Sequence, residues 1–581
     1  MTGRLQLLTL GMLFTWAVLA VRLVHLQWFR HRALCEHALT QRALDEVIPA
    51  RLGDIVDRHG RLLVTTAKTN SLFVDPSRIA DPEAVAAPLA AVLGQDAGRL
   101  VRRLVEHKHR RFLWVQRHLT VSEADRVINL ALPEPVWGFR EEFIRVYPQG
   151  RLAAHVLGWR NIDGVPQAGV ERTLDALLHG TDGRRTLVRD ARGYVIEVLE
   201  EVTQSPRQGG TVTLTLDVDI QRIAEDAVDL LVAQRRPHAV AAVVLAPQSG
   251  EILAMLSRPA FDPGCPSADQ AETWKNHAVS SAYEPGSTLK PCIAAWAVEQ
   301  RLVSLEERFL CNGEYRMGQR VLHDHHPFGK LDVAGIIAHS SNIGMAQIGQ
   351  RLGNEVLFTA VRNFGFGDET GVELPGESPG IVRPLERWDR YSTGSIPMGQ
   401  EIAATPLQVI AAHAVLASGG LRITPHLVLR TPGGGRQTTD VLATQVLSPQ
   451  TAHWMTAGPM VDVVRHGTAK QAAIRGVDVF AKTGTAQKLD AETGTYASDR
   501  YVSSCVCGAP AEAPRLLVLV TVDEPATSGN PSGGTVAAPV AADILRQALA
   551  VLETSPPSPR VPRRVADESH RERAFVNPSR R

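Results

Sequence analysis

Lysine is scarce in this sequence: only 8 of its 62 basic residues are lysines. Arginine therefore supplies most of the positive charge, and each lysine is more informative than usual. Cysteine is also sparse, because six in 581 residues are too few for a disulfide scaffold. Their spacing lacks the paired C-x2-C pattern of a structural zinc site. The near-neutral net charge of +1 gives no reason to expect nucleic acid as a partner.

Several other signals are missing. No G-x-x-x-x-G-K-[ST] or G-x-G-x-x-G motif occurs in a strand-turn-helix setting, so we predict no nucleotide cofactor. No repeat recurs at a solenoid period. The segment "HDHH", His323 to His326, contains potential metal ligands, but one aspartate among histidines on a turn favours a solvated loop. We therefore predict no metal site.

The longest apolar run lies at the N-terminus. It covers 17 mostly apolar residues, Leu5 to Val21, and continues past Arg22. A membrane-spanning helix needs roughly 17–25 residues. A cleaved signal peptide would end its apolar core in small residues, whereas this core leads into the bulky "AVRLVHLQWF". The pattern favours an uncleaved anchor over residues 5–27 after a cytoplasmic stub of residues 1–4, and the flanking arginines do not settle its orientation.

Composition divides the rest of the chain, which is long enough for two or three globular domains. Residues 28–205 mix short strands, glycine turns and one stretch of helical periodicity, which predicts an elongated mixed domain that we call the pedestal. The segment "SPRQGG" is a natural linker to a denser region, residues 211–553. Residues 554–581 are rich in proline and arginine without apolar periodicity, so we predict a disordered tail.

The fold class follows from the order of elements in residues 211–553. Two apolar strands in "AVAAVVLAPQSGEILAMLSR" flank a turn near the start of the region. Three further strands come late, in "DVFAKTGTAQK", "YVSSCVCGAP" and "RLLVLVTVDEP", and helical segments fill the space between. This order predicts an α+β domain whose five-stranded antiparallel sheet is assembled from both ends of the domain.

Three short motifs carry the chemistry of this domain, and each alone is a weak signal. They occur in one order: "STLK" from Ser287 to Lys290, "SSN" from Ser340 to Asn342, and "KTGT" beginning at Lys482. Their combination is much more specific, because together they offer a nucleophile, a base, a proton relay and a cation that could hold a carboxylate.

The first motif has two interpretations. Ser287 follows a Pro-Gly break where a helix is predicted to begin, and Lys290 lies three residues later on the same helix face. A serine hydroxyl needs a neighbouring base to become a nucleophile, and a lysine serves as that base only if burial or nearby cations lower its pKa. The alternative is a helix-capping serine beside an exposed lysine.

The other two motifs also allow a plain structural explanation. The triplet from Ser340 to Asn342 lies between apolar segments, so Ser340 and Asn342 could act on a substrate, or a serine or asparagine of the triplet could cap the following helix. Lys482 begins a strand, where it could bind a carboxylate or protect a sheet edge from aggregation. Gly484 would let a substrate backbone approach the strand closely, and Thr485 offers a hydroxyl and an N–H.

The three motifs in this order resemble those of penicillin-interacting serine transpeptidases and β-lactamases. The resemblance extends to class B penicillin-binding proteins through "YEPGSTLKP", "GDIVDRHGRLL", "YPQGRLAAHVLG", "GVERTLDALLHGTDG" and "GQEIAATPLQ". It covers most of residues 5 to 550. It implies a penicillin-binding transpeptidase fold like that of serine β-lactamases, with no metal and no cofactor.

The resemblance assigns catalytic roles to three residues. Ser287 would attack the D-Ala-D-Ala carbonyl of a peptidoglycan stem peptide, Lys290 would be the base of acylation, and Ser340 would relay protons towards the leaving group. Substrate binding would fall to five others: Asn342, Lys482, Thr483, Gly484 and Thr485. Backbone N–H groups of Ser287 and Thr485 would form the oxyanion hole, and a β-lactam would acylate Ser287 in place of the substrate.

Within class B, "SSNIGM" and "YEPGST" resemble the division branch, which implies septal cell-wall synthesis. The implied partners are stem peptides, β-lactams, the membrane, a multi-pass lipid II polymerase and other division proteins. Because the substrate lies outside the cytoplasmic membrane, the catalytic domain would be periplasmic. The alternatives are a specialised paralogue with the same chemistry, a β-lactamase or carboxypeptidase, and a penicillin sensor whose site is vestigial.

Overall fold

The structure is a computed structural model. It describes residues 2–130, 132, 136–189, 195–431, 442–490, 495–526, 531–554 and 564–565. The tail predicted to be disordered, residues 554–581, lies outside the described residues except for Thr554 and residues 564–565. Two compact units are present: Met1–Gly53 with His179–Gly209, and Asp54–Leu178 with Gly210–Arg581.

The first unit begins with the predicted apolar helix, Thr2–Val24, which continues as a π-helical turn, His25–Phe29. The segment Gly3–Phe29 has a mean hydropathy of 2.0, and none of it is buried against the rest of the protein. It is therefore long and apolar enough to cross a membrane. Helix His31–Arg42 follows, and a three-stranded antiparallel sheet completes the unit, with strands Ala43–Ile48, Gly183–Arg189 and Val195–Gln204.

The N-terminal part of the second unit is built around one long strand, Leu62–Val74, which pairs antiparallel with Leu113–Leu119 and Trp137–Val146. Its apolar side chains share a hydrophobic core of their own with three helices. Each helix begins at an aspartate or threonine that accepts backbone N–H bonds. These helices are Pro82–Leu93, Ala97–Glu106 and Val121–Ile128.

The larger part of the second unit contains the predicted five-stranded sheet. Its strands are β1 (Ala239–Ala246), β2 (Glu251–Arg258), β3 (Phe480–Leu489), β4 (Tyr496–Ala509) and β5 (Leu516–Asp523). The spatial order is β2-β1-β5-β4-β3, and every neighbouring pair is antiparallel. This arrangement confirms the predicted α+β fold, since the early strands β1 and β2 join the late strands through the β1–β5 pair.

Helices cover both faces of this sheet, which explains why nearly every residue of β1, β2 and β5 is buried. The longer helices are Val218–Arg235, Lys290–Glu299, Asn342–Asn363, Pro406–Ala417, Pro449–Ala457 and Ala538–Thr554, and the shorter ones are Ala154–Leu157, Gly169–Thr173, Asp175–Leu178, His277–Ser280, Val333–His339, Ser392–Ser395, Pro459–Arg465 and Gly533–Val536. The short strands of the second unit are Ile55–Val56, Val212–Leu214, Phe309–Cys311, Glu314–Met317, Arg320–His323, Gly329–Leu331, Ile381–Val382, Ile402–Ala403, Leu421–Ile423, Val428–Arg430, Leu442–Gln445 and Arg564–Val565.

Candidate active site

Ser287 lies in a single 3-10 turn, Gly286–Leu289, that leads directly into helix Lys290–Glu299. Gly286 has a φ of +54°, a left-handed conformation that glycine adopts at little cost. The N-cap of the helix is Leu289, and no side-chain capping bond is present. The alternative that Ser287 is a helix-capping residue is therefore wrong, and Ser287 is partly exposed.

Lys290 brings the first two motifs together. Its side chain is completely buried. The Nζ atom donates to the backbone carbonyl of Ser340 at 2.6 Å and to Oδ1 of Asn342 at 2.8 Å, and it lies 3.3 Å from Oγ of Ser340. The alternative of an exposed lysine is therefore wrong as well.

Lys482 brings the third motif to the same point. It lies on β3, is also completely buried, and donates from Nζ to Oγ of Ser340 at 2.9 Å. Ser340 itself has a φ of +58°, an uncommon conformation for a residue with a side chain. This left-handed residue ends helix Val333–His339 and turns the chain so that its hydroxyl lies within reach of both lysines.

The electrostatics of the two lysines are set by burial. Burial, and then the positive charge of Lys482, lower the pKa of Lys290 well below the usual value for lysine, while Asp324 acts in the opposite direction. Burial lowers the pKa of Lys482 to about 7. Two buried ammonium groups around one hydroxyl repel each other, so the site favours a state in which one lysine is neutral.

The rest of the "KTGT" segment packs against the nucleophile turn. Thr483 shares a hydrogen bond of 2.6 Å with Oγ1 of Thr468, and Oγ1 of Thr485 accepts a bond of 3.1 Å from the N–H of Gly533. A Cβ at Gly484 would lie 2.5 Å from Oγ of Ser504 and 3.0 Å from the carbonyl oxygen of Pro285. The glycine is therefore required by the close approach of the protein's own turn, a reason that differs from the predicted approach of a substrate.

Asp324, within the "HDHH" segment, orients the second motif. Its carboxylate accepts bonds from Oγ of Ser341 at 2.6 Å and from the N–H of Asn342 at 2.5 Å. Ser341 is the N-cap of helix Asn342–Asn363 and accepts from the N–H of Gly344 at 2.9 Å. The interpretation of "HDHH" as a solvated loop missed this role. The separate alternative that a serine of the second motif caps the following helix is confirmed by Ser341.

A second segment, residues 399–404, contacts the nucleophile turn through backbone hydrogen bonds. None of the three motifs indicates it. The N–H of Gly286 donates to the carbonyl of Gly399 at 3.0 Å. Tyr283 and Ala404 exchange backbone bonds of 3.0 and 2.8 Å. A Cβ at Gly399 would lie 2.0 Å from the carbonyl oxygen of Gly286, so these two backbone segments are packed too closely for any side chain at position 399. The stretch "GQEIAATPLQ" therefore supports the nucleophile turn through backbone contacts.

A cavity of about 830 Å³ opens next to residues 282–284, and it is not lined by Ser287, Lys290, Ser340, Asn342 or Lys482. Glu284 lines it, accepts the N–H of Glu401 at 2.9 Å and two contacts of 3.0 and 3.1 Å from the hydroxyl of Tyr496. Burial raises the pKa of Glu284. Charged groups of both signs line the cavity, including Arg383 and Lys488, so it suits a ligand with polar groups on an apolar body.

No disulfide bond is present among the described residues. All six are unpaired, and Cys505 and Cys507 are completely buried on β4, as expected for small packing residues. Among the residues that the structure describes, no group of histidine, cysteine, aspartate and glutamate side chains is arranged to hold a metal ion.

Comparison with known proteins agrees with this geometry. The family described as "Penicillin binding protein transpeptidase domain" matches residues 240–546, and "Penicillin-binding Protein dimerisation domain" matches residues 47–214. A probable peptidoglycan D,D-transpeptidase PenA from Neisseria meningitidis is 32% identical over 560 residues, which cover 96% of this chain and 94% of the relative. The chain belongs to the class B penicillin-binding proteins.

Other relatives of this penicillin-binding protein extend the same likeness. Stage V sporulation protein D of Bacillus subtilis is 32% identical, covering 87% of this chain and 79% of the relative. The crystal structure of penicillin binding protein 3 from Mycobacterium tuberculosis, complexed with aztreonam, has a TM-score of 0.68 and 29% identity, covering 90% of this chain and 100% of that one. This penicillin-binding protein is a peptidoglycan D,D-transpeptidase.

Proposed function

We propose that this transpeptidase works through a Ser287 acyl-enzyme and builds the septal cell wall during division. One observation carries the assignment of the site. Two buried lysines from distant motifs, Lys290 and Lys482, meet on the hydroxyl of Ser340 beside the turn that holds Ser287. A purely structural cluster has no need to bury two cations around one neutral hydroxyl, because their desolvation is costly.

Acylation begins with proton transfer from Oγ of Ser287 to the neutral amine of Lys290. The oxygen then bonds to the carbonyl carbon of the penultimate D-Ala, and the carbonyl π electrons move to its oxygen. That oxyanion would accept hydrogen bonds from the backbone N–H groups of Ser287 and Thr485. When the C–N bond breaks, the departing terminal D-Ala takes a proton that Ser340 relays from the lysine pair.

Deacylation reverses these proton transfers. An amine from a neighbouring stem peptide attacks the Ser287 ester, gives up a proton to Lys290, and forms the cross-link as Ser287 regains its hydrogen. Water would do the same in a β-lactamase or carboxypeptidase, so the fate of the acyl-enzyme distinguishes these activities.

Substrate binding follows from the cations and donors around the nucleophile. The charged form of Lys482, with the hydroxyls of Thr483 and Thr485, would hold the terminal carboxylate of the stem peptide. Asn342 would orient the donor peptide, while Gly484 keeps β3 close to the turn. Aztreonam and ampicillin complexes of the Mycobacterium tuberculosis relative support β-lactam binding here.

A fluorescent penicillin tests the nucleophile. We expect the full-length protein in detergent to form a stable adduct that survives denaturation, and Ser287→Ala to form none. Ser281→Ala is the matched control, because that serine lies on the same segment and contacts His277 instead of the motif residues. Labelling of Ser287→Ala at the wild-type level would refute the assignment, and rapid turnover of the adduct would favour a β-lactamase.

The same proposal places the chain in the cytoplasmic membrane. The apolar helix over residues 5–27 would anchor it, with residues 28–205 as a pedestal and residues 211–553 as a periplasmic transpeptidase domain. Protease added to spheroplasts should degrade everything beyond the anchor. Full protection of the chain until the membrane is permeabilised would contradict this orientation.

The septal role is supported by sporulation and penicillin-binding relatives of the chain. Depleting the protein should produce filaments with unfinished septa, whereas normal division would indicate a specialised paralogue. A multi-pass lipid II polymerase is the partner we propose, and it should co-purify with the full-length chain from detergent-solubilised membranes. Recovery of the chain without any polymerase after cross-linking in cells would contradict that partnership.

A further inference from the structure

The side chain of His413 contacts the nucleophile turn, Gly286–Leu289. It lies on helix Pro406–Ala417, which begins with a capping box between Thr405 and Gln408. The imidazole is 1% exposed, and its Nε2 atom lies 2.8 Å from the backbone carbonyl oxygen of Thr288, the residue after the nucleophile. A carbonyl only accepts hydrogen bonds, so Nε2 carries the proton and donates it.

The other ring nitrogen has no such role. Among the described residues, Nδ1 of His413 is buried without a hydrogen-bond partner. Burial and the charge of Lys482 together lower the pKa of His413 to about 4, although the bond to Thr288 acts in the opposite direction, so the ring is neutral at pH 7 with a single N–H. A residue needed only for packing would be apolar here, because an unpartnered buried nitrogen costs stability.

The carbonyl of Thr288 receives a side-chain donor from outside its own helix. Thr288 precedes Leu289, the N-cap of helix Lys290–Glu299, so its carbonyl lies before the helical hydrogen-bond ladder. In a continued 3-10 turn the donor would be residue 291, which is a proline without an N–H. His413 supplies the missing donor at this position.

We propose that His413 is a positioning residue for the nucleophile, holding the Ser287 turn in place through the carbonyl of Thr288; this rests on the proposed role of Ser287. The turn is already fixed on its other side by the bond from Gly286 to Gly399. His413 completes the restraint, so that Ser287 cannot shift away from Lys290. Displacing a reacting group by about 1 Å can reduce a rate by about 100-fold.

Amide side chains offer a sharp test, because glutamine places an N–H near the Nε2 position of histidine and asparagine places one near Nδ1. With full-length protein and fluorescent penicillin, we measure the dissociation constant of the non-covalent complex, the acylation rate constant and the Tm. His413→Asn and His413→Phe should slow acylation by about 10- to 100-fold. The dissociation constant should stay within about twofold, and His413→Gln should recover most of the rate.

His155 provides the matched control. It is also buried, its Nε2 lies 2.8 Å from the carbonyl of Thr273, and burial lowers its pKa to about 4, but it lies in a different part of the fold. His155→Asn should lower the Tm without slowing acylation by the folded protein.

The inference is overturned if His413→Asn acylates at the wild-type rate, if His413→Gln is as slow as His413→Asn, or if His155→Asn slows acylation equally. If His413→Phe does not fold, the comparison of His413→Gln with His413→Asn still tests the proposal. If wild-type protein forms no Ser287-dependent adduct, the proposed function fails instead, and that result is recognised before any His413 variant is measured.

Discussion

Lys482 donates a hydrogen bond of 2.9 Å to the hydroxyl of Ser340, a residue 142 positions earlier in the chain. Lys290 approaches the same hydroxyl at 3.3 Å. A hydroxyl can donate one proton and accept others, so Ser340 is able to connect two amines whose protonation states differ. This relationship makes Ser340 the residue through which the charge of one lysine affects the other.

Replacing Ser340 with alanine should therefore slow acylation by penicillin by about 100-fold or more, because the proton path between the lysines is lost. The Tm should change little, since Ser340 caps helix Val333–His339 through its backbone N–H, which alanine retains. Acylation rates from rapid-mixing experiments, with thermal melts of the same samples, check both expectations.

The adjacent serine supplies the control. Ser341→Ala removes the N-cap of helix Asn342–Asn363 and should cost about 0.5–2 kcal/mol of stability. We expect its acylation rate to fall much less than that of Ser340→Ala. Equal rates for the two variants would show that Ser340 acts only as a structural residue.

The pH dependence of acylation should be bell-shaped. The rate rises with pH on the acid side, because Lys290 must lose its proton to act as a base and its pKa is lowered by burial and by Lys482. It falls above about pH 7, because Lys482, whose pKa is about 7, loses the charge that binds the carboxylate. Second-order acylation rates from pH 5 to 10 measure the profile, with hydrolysis of the free penicillin subtracted at each pH.

Lys482→Arg separates the two limbs of this profile. Arginine remains charged throughout the range, so the variant should lose the alkaline limb and keep the acid one, whatever its absolute rate. An alkaline limb that persists in Lys482→Arg would assign that limb to a different group.

Asp324→Asn should weaken the site without touching the nucleophile. The change removes a carboxylate that accepts the Ser341 hydroxyl and the N–H of Asn342, and it removes the negative charge that raises the pKa of Lys290. We expect acylation to slow by about tenfold and the Tm to fall, since hydrogen bonds to charged groups are the stronger ones. His325→Asn, at the exposed neighbouring position, should leave both unchanged, and equal effects of the two variants would refute the role of Asp324.

Gly399→Ala should abolish penicillin labelling or prevent folding. Its φ is +81°, and the added Cβ would meet the carbonyl oxygen and the nitrogen of Gly286 at 2.0 and 2.5 Å. Gly476 has the same φ but open space around it, so Gly476→Ala pays only the conformational cost of a left-handed alanine, about 1–2 kcal/mol. Comparable labelling of the two variants would show that the close approach of Gly399 to the turn is unimportant.

Much of the fold could be predicted from the sequence. The apolar runs of β1, β2 and β5 are buried on both faces, so their composition alone marks them as strands of a covered sheet. Because the chain has only 8 lysines, the positions of Lys290 and Lys482 within short motifs are informative from the sequence alone. Burial of both side chains then follows from the sheet and helices that surround them.

The remaining features depend on contacts between distant segments. Asp324 lies in a stretch whose local pattern indicates only a turn, and Gly399 lies in a stretch marked only by the family resemblance. Their roles appear when the chain brings them to Asn342 and Gly286. The start of the helix at Ser287 was also misplaced. In an α-helix the carbonyl of Ser287 would accept from residue 291, but Pro291 has no N–H, and the bond comes from Lys290 in a 3-10 turn instead.

The pairing of β1 with β5 has a consequence for the time at which the enzyme becomes active. Leu245 pairs with Leu517, about 270 residues later. At synthesis rates of about 5–20 residues per second, β1 waits tens of seconds for its neighbour. Ser287 and Lys290 emerge early in that interval, and Lys482 near its end. Until β3 to β5 have been synthesised, the growing chain has Ser287 but lacks both Lys482 and the complete sheet. The site is therefore incomplete, and Ser287 cannot be acylated before synthesis of the chain ends.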